Sequence, residues 1–264
     1  MQSASLNLCN LPPWVIASHY FNKHPKPLEI QGVRSSNRLL FDRLQKLESC
    51  ELRGLQFHDY MDVTFQLHQW ESEETNSSRK SLKNSYLRFL RGWMFESNSR
   101  EGAVLKGWVE SRFGLAPTFH HQLIDDVHSE AYHHYLRERM QGAARTSAIY
   151  AQFDLLYEFA QYEMGRTAEP TTCHTLYRGI NDFNEQRIVK EIGRNHHLVR
   201  LNNLVSFTTD FERAWEFGSR VMQVEVPQSK MVFRFDLLPN ALLKGEEEVM
   251  VIGGEYEIKV LTGG

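Results

Sequence analysis

The chain has 264 residues, 41% hydrophobic and 24% charged, with a formal net charge of -3. That length can bury one large core or two small ones, and the lack of a basic excess argues against nucleic acid as the main partner. Nowhere do about 18 uncharged apolar residues run together, and the first ten residues lack a basic-then-apolar secretion pattern, so neither a membrane span nor a signal peptide is predicted. In chain order, a Pro-Pro pair at 12–13 and a short extended stretch at Leu28-Glu29-Ile30 come first. Helical spacing follows: Leu40, Leu44 and Leu47, then Phe57, Met61 and Phe65 at intervals of four. The polar run Glu71 to Lys80 reads as an exposed loop. Helical spacing resumes with Leu87, Leu90 and Met94, and again with Val104, Leu105, Trp108 and Val109. A longer helix is predicted from Ala148 to Met164, with Ile149, Phe153, Leu156 and Ala160 on one face.

Gly165 through Pro170 ends that pattern. Short β-rich runs follow at Thr175 to Arg178, Val221 to Val226, Met231 to Phe235, Val249 to Ile252 and Tyr256 to Leu261. Pro227, Pro239-Asn240 and Gly253-Gly254 separate several of them as turns. The expected fold class is α+β, with a mainly helical region 1–168 packed on a β-rich region 169–264. Three cysteines (Cys9, Cys50, Cys173), odd in number and far apart, suit a soluble protein of a reducing cytoplasm.

Three pieces of the second region carry chemistry. Tyr177-Arg178-Gly179 places a planar guanidinium, suited to phosphate, beside a glycine that lets a ligand approach the backbone. In Ser206-Phe207-Thr208-Thr209, strand alternation points Ser206 and Thr208 to one side. In Glu246-Glu247-Glu248, which runs into Val249-Met250-Val251-Ile252, the same alternation groups Glu246 with Glu248 and turns Glu247 away. Each has an ordinary alternative: a surface arginine before a turn, a half-exposed strand, a solvated acidic turn. Two carboxylates on one face nevertheless repel unless they handle positive charge.

Taken in order, Arg-Gly, Ser-x-Thr and Glu-x-Glu resemble the Arg-Ser-Glu clade of ADP-ribosyltransferases, the last element in its arginine-modifying form. Asn203, three residues before Ser206, Phe217, eleven after it, and Arg220, three further, also match that clade. The segments Asn10-Leu-Pro-Pro-Trp-Val-Ile-Ala-Ser18, Leu28-Glu-Ile-Gln-Gly-Val-Arg34 and Tyr177-Arg-Gly-Ile-Asn-Asp182 resemble the dinitrogenase reductase ADP-ribosyltransferases of nitrogen-fixing bacteria, over nearly the whole chain. The resemblance implies a mono-ADP-ribosyltransferase that moves ADP-ribose from NAD+ to an arginine of nitrogenase iron protein, switching nitrogen fixation off. It also implies a two-sheet, sandwich-like NAD-binding cleft, a PII signalling protein as regulator, and target recognition by the helical region. Glu248 would stabilise positive charge on the ribose as the nicotinamide leaves, by analogy with glycoside hydrolysis. Glu246 would orient and deprotonate the acceptor guanidinium. Ser206 would position Glu248, Arg178 and Arg220 would hold the pyrophosphate, Asn203 would contact NAD, Phe217 would stack on nicotinamide, and the Gly179 backbone would pair with the carboxamide. No metal is required, because the leaving group is already cationic. The alternatives are an NAD glycohydrolase and a non-catalytic NAD-sensing module.

Other features read differently. His121, Asp125 and His128 would share a helix face of metal-ligand spacing, but no second ligand helix accompanies them, which favours exposed polar residues. His196-His197 reads as part of a basic loop with Lys190, Arg194 and Arg200. Trp70, Trp93 and Trp108 fit helix packing.

Overall fold

The computed structural model describes residues 8–67, 85–144, 148–183, 185–243 and 247–262. The polar run at 71–80, Trp70 and Glu246 lie outside the described residues. Helices α1 (Pro13–Ile16), α2 (His19–Lys23), α3 (Val33–Ser36), α4 (Arg38–Leu44), α5 (Cys50–Phe65), α6 (Tyr86–Phe95) and α7 (Arg100–Phe113) come first. A small hairpin follows, β1 (Phe119–His120) and β2 (Gln122–Leu123), and then α8 (Glu130–Ala143) and α9 (Ile149–Met164). Serines start five of these helices: Ser18, Ser49, Ser85, Ser99 and Ser129 each accept a backbone N–H of the first turn. Each such cap contributes about 1 kcal/mol. None of the described helices is long and apolar enough to cross a membrane.

Helix α9 is the axis of the molecule. Its sequence spacing suggests one apolar face, yet 13 of its 16 residues are buried. The polar ones are buried because each satisfies a partner elsewhere. Gln152 accepts the Tyr86 N–H, Asp154 takes Trp108 Nε1 and Arg112, and Glu158 takes the Ile30 N–H and Arg34 Nε. Gln161 donates to the carbonyls of Gln228 and Met231, and Glu163 pairs with Arg53 at 2.6 Å. Phe57 of α5 stacks on Phe159 of α9, with ring centroids 4.1 Å apart.

The second region begins with β3 (Cys173–Ile180), β4 (Arg187–Gly193) and β5 (His196–Thr208). The short helix α10 (Phe211–Trp215) follows, then β6 (Arg220–Pro227), β7 (Met231–Arg234) and β8 (Glu248–Thr262). All six strands are antiparallel. β5 runs beside β8 for almost its whole length, while the other edge of β8 is shared by β7 over Val249–Val251 and by β6 over Ile258–Thr262. β6 pairs with β3, which meets β5 again at Tyr177 and Thr208. The six strands thus form one antiparallel sheet in which β5 and β8 pair both with each other and with further strands, an α+β arrangement as expected. Gly253-Gly254 is not the predicted hairpin turn but a bend within one strand. A Cβ on Gly253 would lie 1.6 Å from the Asn202 carbonyl, and Gly254 has φ 117°, so only glycines let β8 bend with the bulge of β5. His196-His197 opens β5 rather than lying in a loop, and His196 Nε2 sits 2.7 Å from Glu257 Oε1.

One apolar core runs through both regions, from Leu40, Phe57 and Trp108 to Phe233 and Ile252. The N-terminal segment straps across it. Ile30 bridges to Cys9, Glu255 N–H donates to Ala17 O at 2.7 Å, and the fully buried Lys230 ammonium donates to Ile16 O and Asn22 Oδ1. Burial alone pushes Lys230 well below the ordinary lysine range.

Candidate active site

Where β3, β5 and the start of β8 converge, a cleft of about 890 Å³ opens, within the size range of small-molecule sites. Strand register builds its floor. Ser206 faces Met250 and Thr208 faces Glu248 across the β5–β8 pair, so Ser206 and Glu248 are diagonal neighbours. The Ser206 hydroxyl donates to Glu248 Oε1. Trp93, on α6, donates its indole N–H to both, 2.7 Å to Ser206 Oγ and 3.0 Å to Glu248 Oε1. Expected here only as a packing residue, Trp93 is buried as such and also reaches the floor of the cleft.

Arg178 lies on one wall. Its Nη1 donates to Ser206 O at 3.0 Å and its Nη2 to Glu185 Oε2 at 3.2 Å, while its buried Nε finds no partner among the described residues. Gly179 lines the cleft and also has a packing purpose. A Cβ there would lie 2.2 Å from Ala214 O, so the glycine lets α10 close on β3. Asp210 caps that helix through the Glu212 and Arg213 N–H groups. Phe217 follows on the rim, 63% exposed, with Arg213 also lining the cleft. The segment after Trp93 completes the mouth with Phe95, 93% exposed, and Glu96.

Two sequence candidates stand elsewhere. Asn203 is buried in the β5 bulge, its Nδ2 donating to Lys106 O and Leu115 O, so it ties α7 to the sheet away from the cleft. Arg220 is exposed at the start of β6, opposite Ile180 and Thr262, and does not line the cleft. Glu247 has φ 49°, a left-handed turn immediately before β8. Strand alternation therefore begins at Glu248.

Behind the Arg178 wall lies a buried chain of polar groups. Lys106 Nζ reaches Asn98 Oδ1 at 2.9 Å, Phe119 O at 3.1 Å and His120 Nδ1 at 3.3 Å; burial pushes this ammonium down to about 7. His120 Nε2 meets Glu138 Oε2 at 2.6 Å, with His121 Nε2 at 3.3 Å from the same oxygen. Burial and the Lys106 charge push His120 down to about 4, so it is neutral. The predicted helical array of His121, Asp125 and His128 does not form. His121 sits at φ 58° in the β1–β2 turn, and α8 starts only at Glu130. The three groups His120, His121 and Glu138 are close enough to share a metal ion. However, a ligating histidine normally donates its second ring N–H to an acceptor, and His120 Nδ1 faces an ammonium instead. The cluster is satisfied as a hydrogen-bond chain.

The α+β fold thus brings Arg178, Ser206 and Glu248, the three motifs that the sequence places in order, to one cleft with an aromatic on its rim. Comparison with known proteins narrows this. Residues 6–260 match the family described as dinitrogenase reductase ADP-ribosyltransferase (DRAT). A curated relative from Rhodospirillum rubrum, NAD(+)--dinitrogen-reductase ADP-D-ribosyltransferase, is 42% identical over 259 residues, covering 97% of this chain and 94% of its own. No solved structure matches. The chain belongs to the dinitrogenase reductase ADP-ribosyltransferase family.

Proposed function

We propose that the protein transfers ADP-ribose from NAD+ to an arginine of dinitrogenase reductase, the nitrogenase iron protein, and thereby switches nitrogen fixation off. The observation that carries this reading is the Ser206–Glu248 pair at the floor of a cleft walled by Arg178, in a chain of this family. The cleft fits NAD+ on two counts. Its volume of about 890 Å³ lies within the range of small-molecule sites, and Arg178 lines it with a planar guanidinium suited to phosphate. Phe217, exposed on the rim, offers a face for the nicotinamide ring.

In this scheme Glu248 lies against the ribose and stabilises positive charge as the glycosidic bond breaks. Such a preorganised charge is worth a few kcal/mol, roughly 10²–10³ in rate. Ser206 fixes the carboxylate, the Gly179 backbone faces the carboxamide, and Arg178 holds phosphate. Arg213, which lines the cleft, replaces Arg220 as the second phosphate candidate. Glu246 remains the candidate for orienting the acceptor guanidinium, whose pKa above about 12 otherwise leaves it a poor nucleophile. The helical region 1–168 is assigned to target recognition and regulation, with a PII signalling protein as regulator, on the resemblance set out above. The free thiols of Cys9, Cys50 and Cys173 suit a cytoplasmic setting.

The test is incubation with isotopically labelled NAD+ and purified iron protein, read by intact mass. One ADP-ribose added to an arginine, with iron-protein activity lost, is the expected result. Free ADP-ribose without labelled protein would instead make the enzyme a glycohydrolase. Substituting Glu246→Gln should abolish transfer while leaving residual NAD+ hydrolysis; unchanged arginine labelling would remove Glu246 from the acceptor role.

A further inference from the structure

We propose that Trp93, supplied by the helical region, is a positioning residue for the Ser206–Glu248 pair, so that the active site is built jointly by both regions. This rests on the reading of Glu248 given above. The indole nitrogen is a donor with no acceptor capacity, and it lies 2.7 Å from Ser206 Oγ and 3.0 Å from Glu248 Oε1. Because Ser206 Oγ accepts from Trp93, the serine's own proton is directed away from the indole and onto Glu248. Glu248 Oε1 thus receives two donors from different elements, one on β5 and one on α6. Two donors to one carboxylate oxygen hold it in a single orientation without binding substrate.

The donor is itself held rigidly. Trp93 is 2% exposed, and the first turn of α6 is fastened to α9, where the Tyr86 N–H donates to Gln152 Oε1. α6 also lies hard against α7, since a Cβ on Gly92 would meet the Glu101 side chain at 2.5 Å. Near its other end, Arg91 Nη2 donates to Leu242 O at 2.7 Å. A group fixed on a packed helix places its hydrogen bond more accurately than one on a loop. The ordinary role of a buried tryptophan is to fill the core. That role needs the ring but not its N–H; a core tryptophan aimed at two polar groups of a cleft does more.

The test separates ring from donor. Trp93→Phe keeps an aromatic in the core and deletes the N–H; replacement by benzothienylalanine, a sulfur isostere, keeps the full bicyclic shape. Both variants are assayed in the full-length protein for NAD+ cleavage and for labelling of the iron protein. The expected result is a fall in kcat of about 10- to 100-fold, the effect of losing one hydrogen bond to a charged group. KM for NAD+ should stay within about threefold, because a positioning group acts on the reacting geometry more than on uniform binding. The benzothienyl variant should fold cooperatively, with Tm lowered by no more than about 10 °C, and still lose kcat, which a space-filling role would not produce. Wild-type kcat in that variant overturns the proposal, as does a loss confined to KM. A wild-type protein inactive on NAD+ and iron protein would instead refute the functional reading on which the proposal rests.

Discussion

Gly179→Ala perturbs the site through packing alone. The added methyl would sit 2.2 Å from Ala214 O, 2.9 Å from Phe217 C and 3.0 Å from Gly218 N, all backbone atoms that no rotamer change can move aside. Relief requires α10 and the Phe217 turn to retreat from β3 by about 1 Å to restore ordinary contact. Overpacking of this kind costs about 1–3 kcal/mol, which lowers Tm by roughly 2–12 °C in a protein of this size. The larger effect falls on the cleft, because the same displacement carries Arg213 and Phe217 away from Arg178. Misplacing a binding element by about 1 Å can cost up to 10²-fold. Thermal unfolding and NAD+ saturation kinetics measure the two effects separately. A Gly179→Ala enzyme with wild-type Tm and unchanged KM for NAD+ would refute the argument that this glycine exists to seat α10.

Glu163→Ala leaves the Arg53 guanidinium buried without its ion-pair partner, the side chains being 6% and 2% exposed. Urea unfolding should show a loss of about 3–5 kcal/mol, and a loss below about 1 kcal/mol would contradict the buried pairing. His120 makes stability depend on pH. Its folded value of about 4 lies below the ordinary 6.5, so between those limits the unfolded chain binds a proton that the folded chain does not, and stability rises with pH. Stability should therefore fall as pH drops from 6.5 to 4, and His120→Asn should flatten that fall; an unaltered urea-midpoint profile would exclude His120. Arg178→Lys removes the planar fork that spans Ser206 O and Glu185 Oε2. NAD+ affinity, measured by calorimetry, should weaken about tenfold or more, whereas a tolerated lysine would mean a point charge suffices.

The sequence disclosed what depends on local period and order. α5 carries Phe57 and Met61 inward as their spacing requires, and β3 and β6 lie where short β-rich runs occur. Ser206, Thr208 and Glu248 meet at the cleft because strand alternation is a local property. What stayed hidden depends on distant partners. Trp93 looks like any apolar helix residue until strands 113 and 155 residues further on place Ser206 and Glu248 beneath it. The polar residues of α9 hide its burial on nearly every side, because their partners come from α3, α5, α6, α7 and β7. His121 departs from its spacing in the opposite sense. Spacing of four and three suggested a helix, but the chain turns at His121 with positive φ and forms a hairpin. Asn203 sits at the family spacing from Ser206, yet the β5 bulge turns its amide toward α7. Short motifs fix the order of residues and leave their facing to the fold.

Glu248 is the residue on which the whole account turns. The most direct measurement compares wild type with Glu248→Gln, using labelled NAD+ and purified iron protein, with NAD+ binding checked by calorimetry. Labelling should fall by at least about 10²-fold while NAD+ still binds. Labelling at the wild-type rate, with binding unchanged, would contradict it.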